Sequence, residues 1–102
     1  SKVREKMIME WKVEVRRLFD NYVGEFYHND RVVYIDHNRA WIKIERRKYF
    51  YDSFVVRSSN NRDRYGEIVK GIFALLDYVK KLLDLMFDCK TEQIDLLEGV
   101  VL

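Results

Sequence analysis

The stretch RYGEIVKGIFALLDYVKKLLDLMFD, residues 64–88, decides how the rest of the chain has to be arranged. Its apolar members Tyr65, Ile68, Val69, Ile72, Leu75, Leu76, Val79, Leu82, Leu83 and Met86 recur at steps of three and four, the spacing of one helix face and not of a strand. Glu67, Lys70, Asp77, Lys80, Lys81 and Asp84 fall between them as a solvated side. The pattern predicts one amphipathic helix from Arg64 to about Asp88. Asp63 is its expected N-cap, since a carboxylate there accepts the free N–H groups of the first turn and suits the positive end of the helix dipole. A stripe of this length needs a surface to lie on.

The preceding residues read as that surface. Arg31 to Asp36, Ala40 to Arg46 and a run near Tyr49 to Arg57 alternate apolar with polar residues. They are preceded by the turn signal Tyr27-His28-Asn29-Asp30 and separated by the turn formers His37-Asn38-Arg39, and Ser58-Ser59-Asn60-Asn61-Arg62 leads out of the last run. Val23 to Tyr27 adds a short edge strand. Alternation turns Val33, Ile35, Ile42, Ile44, Phe50, Phe54 and Val56 to one side. Asp52 falls on that apolar side, a misfit that a bulge near Asp52-Ser53 resolves.

Upstream, residues 7–22 carry two patterns. Met7, Ile8, Trp11, Val15, Leu18, Phe19 and Tyr22 share one helix face, whereas Met9, Trp11, Val13 and Val15 alternate as a strand would. The helical stripe persists from Met7 to Tyr22 and the alternation fails at Arg17, so a helix is expected. After Asp88, Thr91 is placed to cap a short final helix through Leu97. Phe73, Tyr78, Leu85 and Phe87 lie off the main stripe and are expected to bury against the N-terminal helix.

Together these elements predict a single α+β domain over residues 1–102: an N-terminal helix, a three- to four-stranded antiparallel sheet, and a long C-terminal amphipathic helix packed on one sheet face. With 102 residues, 48% of them hydrophobic, the chain suffices for one closed core and is too ordered in composition for disorder. It has no apolar run of membrane-spanning length, one cysteine (Cys89) and a charged N-terminus. These features give the expectation of a cytoplasmic, intracellular protein without membrane attachment.

Sequence patterns for catalysis are weak. His28 and His37 sit in separate turns and cannot converge on a metal, Cys89 has no histidine near it in sequence, and the four glycines are isolated rather than forming a phosphate loop. Glu10-Trp11-Lys12 has the spacing of some nuclease carboxylate–lysine pairs but no strand-borne aspartate before it. No catalytic residue, metal, cofactor or small-molecule ligand is assigned, and the expected function is non-enzymatic binding.

Charge points to where binding occurs. The net charge of +2 hides nine cations against four acids in residues 31–64, and four cations against seven acids from residue 65 onward. In the strands, the face turned away from the helices collects Tyr34, Trp41, Lys43, Glu45, Arg47, Tyr49, Tyr51 and Arg57, with Arg62 and Arg64 close by in sequence. Rings interleaved with cations suit a protein interface, above all a homodimer, because an open aromatic sheet rimmed by charge needs covering. They also suit nucleic acid, where bases stack on rings and cations follow phosphates. A third reading is cross-strand packing of ring on guanidinium with no ligand. Self-association or a protein partner is the leading expectation; a nucleic-acid-binding module using the same face is the alternative.

Overall fold

Alternation in the middle of the chain is realised as a five-stranded antiparallel meander: β1 (Glu25–His28), β2 (Val32–His37), β3 (Ala40–Arg47), β4 (Phe50–Ser58) and β5 (Glu67–Lys70). The computed structural model describes residues 1–60 and 65–90. Among the described residues three helices complete the fold, α1 (Lys2–Met9), α2 (Trp11–Phe19) and α3 (Ile72–Met86). The α+β domain is thus as expected, with one strand more than the three to four read from the sequence.

That extra strand comes out of the predicted long helix. Gly66 and Gly71 both have positive φ, +78° and +91°, a backbone region that a continuous helix cannot pass through. Between them the β-branched Ile68 and Val69 pair with Val55 and Phe54. The Gly71 N–H then donates to the Asp52 carbonyl at 2.7 Å, and the chain turns into α3. Helix and strand periods coincide over Ile68, Val69 and Ile72, which is why the stripe extends too far on paper. Gly71 occupies the N-cap of α3 with no side-chain cap bond. The expected Asp63 cap and the final helix from Thr91 lie outside the described residues.

Register stacks the apolar rows. Val33 pairs with Ile44 and Ile44 with Val56, while Ile35 pairs with Ile42 and Phe54 with Val69. The first six of these are fully buried and share the core with the buried Trp11, Val15 and Phe19 of α2 and Ile72, Leu75, Val79, Leu82 and Leu83 of α3. The indole of Trp11 lies 5.1 Å from the Phe54 ring, centre to centre. Burying such side chains, at about 1.5–3 kcal/mol each, is what holds the two layers together.

The N-terminal helix is broken once, at Glu10 (φ −103°, ψ 30°), with no glycine or proline to mark the kink. The helical reading prevails over the strand. Trp11 and Val15 are buried while Met9 and Val13 are exposed, so the four do not share a face. Of the four off-stripe residues, Phe87 is buried edge-on to Phe19 and Tyr78 is half-buried, but Phe73 and Leu85 are exposed. The irregularity expected near Asp52 is present. Arg46 pairs with Phe54 and Arg47 with Phe50, which leaves Tyr51, Asp52 and Ser53 without partners in β3. This shift also carries Phe50 out of the core, to lie exposed under the Arg47 guanidinium, against the inward position read from alternation.

The ends of α2 and α3 are clasped. Tyr22 bridges to Cys89, the Val23 N–H donates to the Asp88 carbonyl at 2.9 Å, and the Lys90 N–H donates to the Asn21 carbonyl at 2.8 Å. The Tyr22 hydroxyl donates to Asp84, whose other oxygen accepts from Lys80 Nζ at 2.8 Å. Burial, then the Asp84 carboxylate, pushes the Tyr22 phenol up to about 12. Hydrogen bonds from Lys80 and from Tyr22 hold the Asp84 carboxyl below its ordinary value. Cys89 is half-buried beside this clasp.

Candidate interaction surface

Side chains on the sheet face away from the helices form cross-strand rows, because paired residues of antiparallel strands share a side. Glu25, Asp36 and Trp41 make the first row. Tyr27, Tyr34, Lys43 and Arg57 make the second, and Val32, Glu45, Val55 and Ile68 the third. Past the register shift, Arg47 donates to Ser53 Oγ at 3.5 Å and Ser53 pairs with Lys70, giving a fourth. Tyr34 and Trp41 sit diagonally across β2 and β3 with their rings nearly parallel, 18° apart and 6.2 Å between centres. Diagonal neighbours at this spacing are within reach of large rings, so the two fix each other.

Charge on this face runs in bands along the strands. The first row carries two carboxylates, the second two cations, the third one carboxylate among apolar residues, and the fourth two cations. Arg57 Nη1 lies 3.9 Å from Glu45 Oε1, with both side chains a little over one-third exposed, so the second and third bands are already in contact. Ile68, at 60% exposed, is the large apolar side chain most open to water among the third-row residues.

The nine rings and cations singled out from the sequence therefore do not form one surface. Tyr34, Trp41, Lys43 and Arg57 come together on the sheet face, with Arg47 at its end. Tyr49 and Tyr51 stand instead at the β3–β4 hairpin, exposed, with Lys48 Nζ 5.3 Å from the Tyr49 ring centre. The hairpin and the unpaired Tyr51–Ser53 segment divert them from the face that simple alternation assigned. Arg62 and Arg64 lie outside the described residues. Tyr27, Val32, Val55 and Ile68 belong to the face and were missed. Tyr27 was read as part of a turn and Ile68 as helix, but Val32 and Val55 were legible as the residues out of phase with Val33 and Val56.

The edges of the sheet are less suited to recruiting a partner strand than its face. β5 is four residues long and ends in Glu67 and Lys70, and short charged edges resist pairing. At the other edge, Lys12 of α2 reaches the Asn29 and Asp30 carbonyls beyond β1 at 2.8 and 3.0 Å. Among the described residues no group of His, Cys, Asp or Glu is gathered to hold a metal ion, and no helix is long and apolar enough to cross a membrane. Compared with models of known protein families, with curated proteins and with solved structures, the chain finds no match.

Proposed function

We propose that this is a non-catalytic interaction protein that self-associates, docking the outer sheet face of one copy on the same face of another. The observation that carries this reading is the banding of charge. Turn a second copy over by 180° about an axis across the strands, between the second and third rows. Each strand then lies over its own copy and the first row faces the fourth, which sets Trp41 over Arg47 and brings Asp36, one strand away, beside that guanidinium. The same rotation sets Tyr34 against Val32, Lys43 against Glu45 and Arg57 against Val55, with Arg57 one strand from that Glu45. A two-fold interface has to be self-complementary in this way, and face-to-face sheets pack about 10 Å apart with interdigitating side chains. The face is also close to neutral. Its three carboxylates offset most of its cations, which suits protein better than a phosphate backbone, whose binding draws on surplus positive charge.

Sedimentation equilibrium over a concentration series tests this. The expected result is a mass rising from 12.5 kDa toward twice that value, with the rise abolished by Ile68→Asp while the far-ultraviolet circular dichroism is unchanged. A mass that stays monomeric at about 1 mM, a concentration at which even contacts worth only about 4 kcal/mol would be half-formed, overturns the reading. So does an association that Ile68→Asp and Trp41→Ala both leave intact.

A further inference from the structure

Between Glu45 and Asp52 the sequence is Arg46-Arg47-Lys48-Tyr49-Phe50-Tyr51: three cations, three rings and no acid. In the fold this stretch is the β3–β4 hairpin, and Tyr49, Phe50 and Tyr51 are 80%, 52% and 68% exposed. Two of the rings are backed by cations. The Arg47 guanidinium lies 4.5 Å from the centre of the Phe50 ring and Lys48 Nζ 5.3 Å from that of Tyr49. A ring held this way is a flat apolar plate carrying local positive charge.

Beside the hairpin a cleft of about 330 Å³ opens between β4, α1 and the β5–α3 junction, walled by Tyr51, Phe73, Arg4 and Lys70 together with Glu5 and Asp52. Here too a cation covers a ring, the Arg4 guanidinium 5.4 Å from the centre of the half-exposed Phe73. Hairpin and cleft together carry Arg4, Arg46, Arg47, Lys48 and Lys70 against Glu5 and Asp52. This end of the molecule is positively charged where the sheet face is banded.

We propose that the hairpin and the adjoining cleft bind single-stranded nucleic acid. Bases stack on Tyr49 and Tyr51 and continue into the cleft against Phe73, while phosphates follow Arg46, Lys48 and Arg4. Exposed rings stack with any unpaired base, and cations spaced along the path supply the affinity that phosphates require. A duplex keeps its bases stacked on one another and offers these rings nothing. The recess at Phe73 favours a threaded strand over a bilayer, which would engage the projecting rings alone. Arg47 and Lys70 also belong to the fourth row of the sheet face, but the stacking rings and the phosphate path through Arg46, Lys48 and Arg4 do not, so the site does not rest on the self-association proposed above.

Fluorescence anisotropy with a labelled oligothymidylate of about 12 nucleotides, within the usual span of one such domain, decides the matter. The expected result is binding to the single strand that weakens by about 20-fold between roughly 50 and 200 mM salt, as release of counterions from about three phosphates requires. Tyr49→Ala with Tyr51→Ala is expected to weaken binding by about 10-fold or more per ring, while Tyr49→Phe with Tyr51→Phe restores it. Ile68→Asp is expected to leave it unchanged, which separates failure here from failure of the dimer. Equal affinity for a duplex of the same length overturns the proposal, as does wild-type affinity in the double alanine variant. Capture by phosphatidylserine vesicles without any binding of oligothymidylate overturns it in favour of a membrane surface.

Discussion

Val55 and Val56 are neighbours in β4 and live in different surroundings. Val56 is fully buried under the helices, whereas Val55 is half-exposed on the outer face beside Glu45 and Ile68. The two faces of this sheet are built from the same strands, yet one is shut by α2 and α3 and the other stands open. Residue type therefore does not set the work of a position here; the presence of a roof does. Inner residues set stability, and outer residues are free to be chosen for contact.

The largest effects test that division. Phe54→Ala, which removes the ring against Trp11, is expected to cost about 3–5 kcal/mol in urea unfolding. Val56→Ala is expected to cost about 2–3 kcal/mol, and Val55→Ala less than about 1 kcal/mol. Equal costs for the two valines would mean that the outer face is covered within the folded monomer, and the comparison would break.

Next in size is the clasp that keeps the roof in place. Because the Tyr22 phenol is raised from 10.0 to about 12 in the native state, the fold favours its protonated form. That contribution is complete below pH 10 and is lost as pH rises toward 12, a change on the order of 2–3 kcal/mol. Tyr22→Phe is expected to remove this drop from the profile of stability against pH. Any fall that persists in the variant belongs to other groups, Lys80 among them, whose ammonium is also raised by its bond to Asp84. A wild-type profile flat from pH 9 to 12 would show that Tyr22 does not hold the roof.

Gly71 marks where the chain leaves the sheet layer for the roof. A Cβ placed there meets nothing within 4 Å, so the cost of Gly71→Ala comes from its φ of +91° alone, about 1–2 kcal/mol. Thermal unfolding is the measurement, and a gain in stability would mean that the junction can relax into helix and that β5 is expendable.

The junction is also where the sequence was hardest to read. A helical stripe and a short strand share Ile68, Val69 and Ile72 when the period alone is consulted, and only the two positive-φ glycines, visible in three dimensions, separate them. The inner face was legible because its alternation is driven by burial: Val33, Ile35, Ile42, Ile44, Phe54 and Val56 all lie where expected. The outer face was legible in part. Tyr34, Trp41, Lys43 and Arg57 follow from regular pleating, but the places of Phe50, Tyr49 and Tyr51 follow from the register shift between β3 and β4 at Arg46 and Arg47. Charge banding was out of reach, because it needs Glu25, Asp36 and Lys70 placed in rows, and rows require register.

The smallest effect sharpens the comparison most. Glu45 and Arg57 are partly solvated at 3.9 Å, so Glu45→Gln is expected to change unfolding free energy by less than about 0.5 kcal/mol. Its consequence is in the bands, for it removes the carboxylate that meets Lys43 and Arg57 of the second copy and leaves the face more positive. Self-association measured by sedimentation is expected to weaken, with a stronger dependence on salt. Oligothymidylate affinity is expected to stay within about twofold, because counterion release counts phosphates contacted at the hairpin and not charge added elsewhere. Should the variant instead gain oligonucleotide affinity several-fold, bases and phosphates would be passing over Tyr34 and Trp41. The outer face, and not the hairpin, would then be the nucleic-acid surface, because a carboxylate can only repel a strand that lies beside it.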